Sequence, residues 1–136
     1  MLLTRNYLKD LVYKVNGAAI EVHKMLGPGL LECTYHQCMV HELKIRNINF
    51  ESELIVPINY KGLMINADLR CDLLVERALV VEFKSVENIA PIHVAQLLTY
   101  MRLLQLPMGL MINFNCTHIF TEGQKTYVNE MYESIY

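Results

Sequence analysis

Asp72, Glu82 and Lys84 form a D-x9-E-x-K pattern in the middle of the chain, carried by the segments Arg70-Cys71-Asp72-Leu73 and Leu79-Val80-Val81-Glu82-Phe83-Lys84. Met64 to Val75 and Leu79 to Lys84 read as two strands joined by a short turn at Glu76-Arg77-Ala78. Strand side chains alternate faces. Asp68, Arg70 and Asp72 should therefore share one side and Ala67, Leu69, Cys71 and Leu73 the other, while Glu82 and Lys84 point one way. If the hairpin is symmetric about Arg77, Asp72 faces Glu82 and Arg70 faces Lys84, with facing Cβ atoms roughly 5 Å apart. No glycine fixes the turn type here, and a slip of one residue would break that arrangement.

Two carboxylates opposed at such a distance repel, and a proton, a cation or a metal ion is needed between them. A hard divalent ion such as Mg²⁺ answers that need, since its usual surroundings are one or two carboxylates, waters and a substrate phosphate. Lys84 could then orient or help deprotonate an attacking water, or neutralise charge at phosphorus. The plainer alternative is a solvated strand face on which Arg70 and Lys84 complete an ordinary charge ladder, and the spacing alone does not decide between the two. The run Leu79-Val80-Val81-Glu82-Phe83 weighs against it, because it reads as a strand buried on both faces, where an ionised glutamate is rarely left unpaired.

Two more pairs bear on the same point. Gln96 and Tyr100 lie four residues apart and share a helix face, although Tyr100 in the core with Gln96 capping a neighbour explains them equally well. Glu32 and Tyr35 sit one turn apart where a second helix begins, and there a carboxylate also simply complements the helix dipole.

The elements that must position these residues follow from periodicity. Leu8, Leu11, Val12, Val15, Ala18, Ala19, Val22, Met25 and Leu26 recur at steps of three and four, a long amphipathic helix ended by Gly27-Pro28-Gly29. A second helix runs from about Leu31 to Arg46, with Leu31, Tyr35, Cys38, Met39 and Leu43 inward and Asn47 and Asn49 at its exit. Alternation over Glu53 to Tyr60 suggests a strand with Pro57 at an edge, and Lys61-Gly62 a turn. Pro91 opens a helix through Leu104, Met108 to Phe114 is an apolar strand, and Thr117 to Thr121 suggests another.

The 136 residues match a single domain with a real core, and 53% hydrophobic with 19% charged residues gives no disordered stretch. Arg5 interrupts the apolar amino end, so neither a signal peptide nor a membrane span is expected. Cys33, Cys38, Cys71 and Cys116 lack zinc or disulfide spacing, which suggests reduced, mostly buried thiols in a cytoplasm. A net charge of −2 argues against sequence-blind coating of nucleic acid by a basic surface, while leaving room for a local basic groove.

Together the residues resemble the PD-(D/E)XK nuclease-like superfamily, and Gly29-Leu30-Leu31-Glu32-Cys33-Thr34-Tyr35 resembles the motif that names its GxxExxY family. The likeness spans about Ile20 to Asn115, through Glu21-Val22-His23, Leu26-Gly27-Pro28-Gly29, Arg70 to Glu76, Val81 to Glu87, Pro91-Ile92-His93 and Gln96-Leu97-Leu98-Thr99-Tyr100. It implies an α/β fold with a mixed sheet of four to five strands flanked by helices, and one domain over residues 1–136. It further implies Mg²⁺ or Mn²⁺ held by Asp72, Glu82, the Phe83 carbonyl and Glu32, with Lys84 catalytic. Gln96 and Tyr100 match a Gln-x-x-x-Tyr element of the superfamily's exonuclease branch that supports site or substrate. Arg70 and Tyr35 would be supporting residues, and His23 and His93 belong to the pattern with packing or hydrogen bonding as their expected part. Cys71 stands where the superfamily's name has proline, a position that binds no metal.

The resemblance implies hydrolysis of phosphodiester bonds in DNA, with RNA the lesser expectation. The alternative is a catalytically inactive nucleic-acid-binding, regulatory or oligomerising module that kept the fold. So small a domain with balanced charge has limited surface to grip nucleic acid, and a homodimer or protein partner could supply more.

Overall fold

The computed structural model describes residues 2–136. Helix α1 (Arg5–Leu26) is capped by the Thr4 side chain, which accepts from the Tyr7 N–H, and ends at Gly27 in the left-handed region that glycine tolerates. Helix α2 (Glu32–Ile45) follows after the short Gly27–Leu31 turn. Strand β1 (Phe50–Ile55) stops before Pro57, and β2 (Ile58–Tyr60) and β3 (Leu63–Ile65) make a separate two-stranded ribbon. The single strand expected across Pro57 is thus two, because proline offers no N–H to carry the ladder on. The long strand expected from Met64 is likewise divided. β3 ends at Ile65, Asp68 adopts a left-handed conformation, and β4 (Arg70–Val75) starts afresh.

β4, β5 (Leu79–Lys84), β6 (Met108–Asn113) and β7 (Gln124–Val128) join β1 in one five-stranded sheet of order β1-β4-β5-β6-β7. Only β5 and β6 run parallel, linked by helix α3 (Pro91–Leu104). The fold is therefore a mixed α/β sheet flanked by helices. Helices α1 and α2 cover one face, packing Leu8, Leu11, Val15, Tyr35, Met39 and Leu43 against Leu73, Val81, Phe83, Leu110 and Ile112. Helix α3 covers the other with Leu97, Tyr100 and Met101 against Cys71, Leu74, Val80 and Met111. It lies very close, since a Cβ on Gly109 would come within 2.8 Å of Met101 Sδ.

Several expectations need correction. Met25, in the last turn of α1, and Leu31, just before α2, are 73% exposed, and Leu26 is exposed as well. Thr117 to Thr121 is no strand: Ile119–Gly123 coils into a π-type turn and the strand comes after it. All four cysteines are free, but Cys71 alone is fully buried and Cys33 lies open to solvent. Among the described residues no helix is long and apolar enough to cross a membrane.

Candidate active site

The β4–β5 hairpin has the register expected about Arg77: Leu73 pairs Val81, Leu74 pairs Val80 and Val75 pairs Leu79. Glu76 and Arg77, both in left-handed conformation, make the turn. Beyond Leu73 the strands are joined through carboxylates. The Asp72 N–H donates to Glu82 Oε2 at 3.3 Å, and the Phe83 N–H donates to Asp72 Oδ2 at 2.7 Å. On the other flank, the β1–β4 pairs Ser52–Leu73 and Leu54–Cys71 straddle Glu53, which is left-handed at φ 52. The regular alternation of β4 is broken here. Cys71 packs under α3 while Leu73 packs under α1 and α2, contrary to the shared face expected of them. The local cause is that Asp72 turns its carboxylate to the Phe83 amide instead of continuing the ladder.

Glu82 is 5% exposed at the end of an apolar strand. Burial pushes its carboxyl well above the ordinary glutamate range, and the hydrogen bond and charge of Asp72 push it further, with Lys84 opposing. The two acids therefore share what one proton, or one cation, must neutralise. Burial also raises Glu32, while Lys84 lowers it and Asp72 raises it. Tyr100 is buried on the α3 side of the sheet, where burial, then Glu82, Cys71 and Asp72, raise its hydroxyl to about 12.

Glu32 reaches the site from α2, with Oε1 3.9 Å from Lys84 Nζ. Its position is fixed from the turn before it. The Tyr35 hydroxyl donates to the Gly27 carbonyl and accepts from Leu30 N–H, its ring stacks on Phe114 at 4.4 Å, and Ser85 Oγ donates to the Leu30 carbonyl. Tyr35 is thus a buried staple whose work is to hold Glu32 over the end of β5.

The remaining sequence candidates divide. His93 Nδ1 accepts from the Ala90 N–H and closes the first turn of α3, and His23 Nε2 bonds the Cys116 carbonyl, both in keeping with hydrogen-bonding parts. Gln96 is exposed on α3, a turn from buried Tyr100. Arg70 turns to Asp68 (3.2 Å), and the β4–β5 ladder stops at Leu73–Val81, short of the expected Arg70–Lys84 pair.

Three residues at the site escaped the sequence reading. His36 Nδ1 lies 3.8 Å from Asp72 Oδ1, and its Nε2 bonds Ser52 Oγ at 2.8 Å. It follows Glu32 by one helical turn, a spacing that could have revealed it. Asn113 holds the segment after Lys84 by two bonds to the Val86 backbone, through a parallel pairing that no local signal announces.

Among the described residues no three His, Cys, Asp or Glu side chains gather to hold a metal ion. Glu32 meets the site through Lys84, its Oε1 3.9 Å from Nζ. A magnesium-type site does fit, since it needs only one or two carboxylates, with oxygen donors from backbone, water and substrate. Phe83 can add its carbonyl: the N–H and C=O of one strand residue share an edge, and its N–H is aimed at Asp72. A hollow of about 530 Å³ lined by Cys33, His36, Gln37, Val40, Ser52 and Glu53 flanks this end of the sheet. A larger one of about 630 Å³ lies at the opposite end, beside Lys14, Arg46 and Glu76, and contains none of the site residues.

A mixed sheet flanked by helices, with two acids and a lysine at the frayed end of a hairpin, defines a nuclease-type α/β architecture. The chain belongs to the PD-(D/E)XK nuclease superfamily, whose family model matches residues 9–126. No curated protein and no solved structure matches the chain.

Proposed function

We propose that the protein is a Mg²⁺- or Mn²⁺-dependent nuclease of the GxxExxY family that hydrolyses phosphodiester bonds, with DNA its first expected substrate and RNA its second. The observation that carries this reading is the pair Asp72 and Glu82, drawn together at the buried end of β5 where backbone pairing stops. Asp72, Glu82 and the Phe83 carbonyl would hold the ion. When bound, it supplies Lewis-acid polarisation of a phosphoryl oxygen and neutralises the acid pair.

The chain's own groups supply the rest. Lys84 Nζ, carried by a largely buried side chain, donates to a water or a phosphate oxygen and stabilises charge that grows in the transition state. Glu32, at 3.9 Å, steers that ammonium and accepts a proton if the water loses one there. Tyr100, buried with Cys71 and Met111 on the α3 side, would support the acid pair from within the core. Net charge of −2 leaves little basic surface for a long duplex, so a second copy or a protein partner would extend the grip. Four free thiols suit the reducing cytoplasm.

The test is incubation of wild type and Lys84→Ala with single- and double-stranded oligonucleotides, with and without Mg²⁺ or Mn²⁺. Metal-dependent cleavage by wild type that collapses in Lys84→Ala is expected. Equal cleavage by both would make the lysine's assignment wrong. Binding without any cleavage would replace this reading with that of a non-catalytic module.

A further inference from the structure

His36 is held on three sides. Its Nε2 lies 2.8 Å from Ser52 Oγ on β1, its ring edge meets the Phe83 ring at 5.5 Å and 75°, and its Nδ1 lies 3.8 Å from Asp72 Oδ1. Phe83 therefore sits at both ends of the arrangement, its ring against His36 and its N–H on Asp72 Oδ2. Each Asp72 oxygen thus has a different protein neighbour. The Ser52 hydroxyl can donate to Nε2, and in that tautomer Nδ1 carries the proton and presents it to Asp72 Oδ1. Hydrogen-bond length is roughly 3 Å, so a shift of about 1 Å closes the gap.

The backbone around Ser52 fits such a task. Ser52 is the last regular partner of β4 before Glu53 turns left-handed, and Leu54 resumes pairing beyond. Left-handed backbone at a residue other than glycine persists where its surroundings impose it, and such positions cluster at functional sites. Here it interrupts the β1–β4 ladder beside Leu73 while Ser52 stays bonded to His36.

We infer that His36, oriented by Ser52, is a positioning residue that sets the Asp72 carboxylate for the divalent ion. This rests on the metal-dependent reading of the site. Ligating carboxylates are themselves hydrogen-bonded, and loss of such a partner typically weakens metal affinity about 10- to 100-fold. His36 touches neither the ion nor the substrate in this account; it acts through Asp72.

The experiment compares Mn²⁺ affinity by calorimetry in wild type, His36→Asn and His36→Gln, with metal-free Tm alongside. An asparagine amide reproduces the Nδ1 position and loses Ser52, whereas a glutamine amide reproduces the Nε2 position and empties the one facing Asp72. His36→Gln should bind Mn²⁺ about tenfold or more weakly, His36→Asn should retain most of the affinity, and excess Mn²⁺ should restore the turnover of the glutamine variant. Wild-type affinity in His36→Gln would overturn the inference, as would equal losses in both variants tracking a common fall in Tm, which would make His36 a packing residue. If wild type itself binds no Mn²⁺, the metal reading falls and this inference falls with it; if wild type binds and the variants match it, only the inference falls.

Discussion

The two ends of the β4–β5 hairpin are built on opposite principles. Toward the turn, Leu73–Val81, Leu74–Val80 and Val75–Leu79 pair through backbone, and every one of these side chains is buried and apolar. Directly after Val81, Glu82 is nearly as buried as its neighbours, yet carboxylates take over the hydrogen bonds that backbone makes at the other end. Burying a charge costs several kcal/mol unless it is compensated, so the open end lowers stability and the closed end restores it. The comparison teaches that the apolar half of the hairpin exists to hold an unfavourable half in place.

The largest effect that would sharpen this contrast lies at the closed end. Leu79→Ala should cost about 2 to 5 kcal/mol in urea denaturation while Mn²⁺ affinity of the folded protein stays unchanged. A fall in affinity matching the loss of stability would dissolve the distinction between the ends. At the open end, Lys84→Ala should lower turnover about a hundredfold, roughly 3 kcal/mol, and leave Tm and Mn²⁺ affinity nearly intact, since an ammonium has no lone pair for metal.

Proton linkage gives a smaller, directional test. The folded protein raises Glu82 above its ordinary value of 4.5, so the native state binds more protons than the unfolded chain above that pH. Metal-free stability is then full below about 4.5 and declines as pH rises, by at most about 1.4 kcal/mol per unit. Thermal melts in chelator across acid to mildly alkaline pH measure the slope, and Glu82→Gln should flatten it. A rise of wild-type stability over that range would contradict a raised, buried Glu82.

Asp72→Asn should change metal-free stability least, by under about 1 kcal/mol in either direction, because it relieves repulsion while an amide oxygen can still accept from Phe83. It should also abolish any rise in Tm on adding Mn²⁺. A large loss of metal-free stability would mean that Asp72 serves the fold through its charge.

How much of this was legible in sequence follows the same division. The closed end was readable because burial leaves a compositional mark: Leu79 to Phe83 announced a two-faced strand, and symmetry about Arg77 placed the pairs correctly. The acid pair was readable only as an assumption about register. Alternation then misled about Cys71 and Arg70, because the pattern presumes a regular strand and β4 is irregular at Asp72. His36 could have been found by its one-turn spacing from Glu32, whereas Ser52 becomes visible only when β1 docks on β4.

The central claim is that the open end of the hairpin is a divalent-cation site, and a titration of wild type with Mn²⁺ in two buffers of different ionisation enthalpy tests it most directly. Saturable binding accompanied by proton release is expected, because the ion displaces the proton that burial holds on Glu82. Binding with no proton released, or no binding through millimolar Mn²⁺, would contradict it.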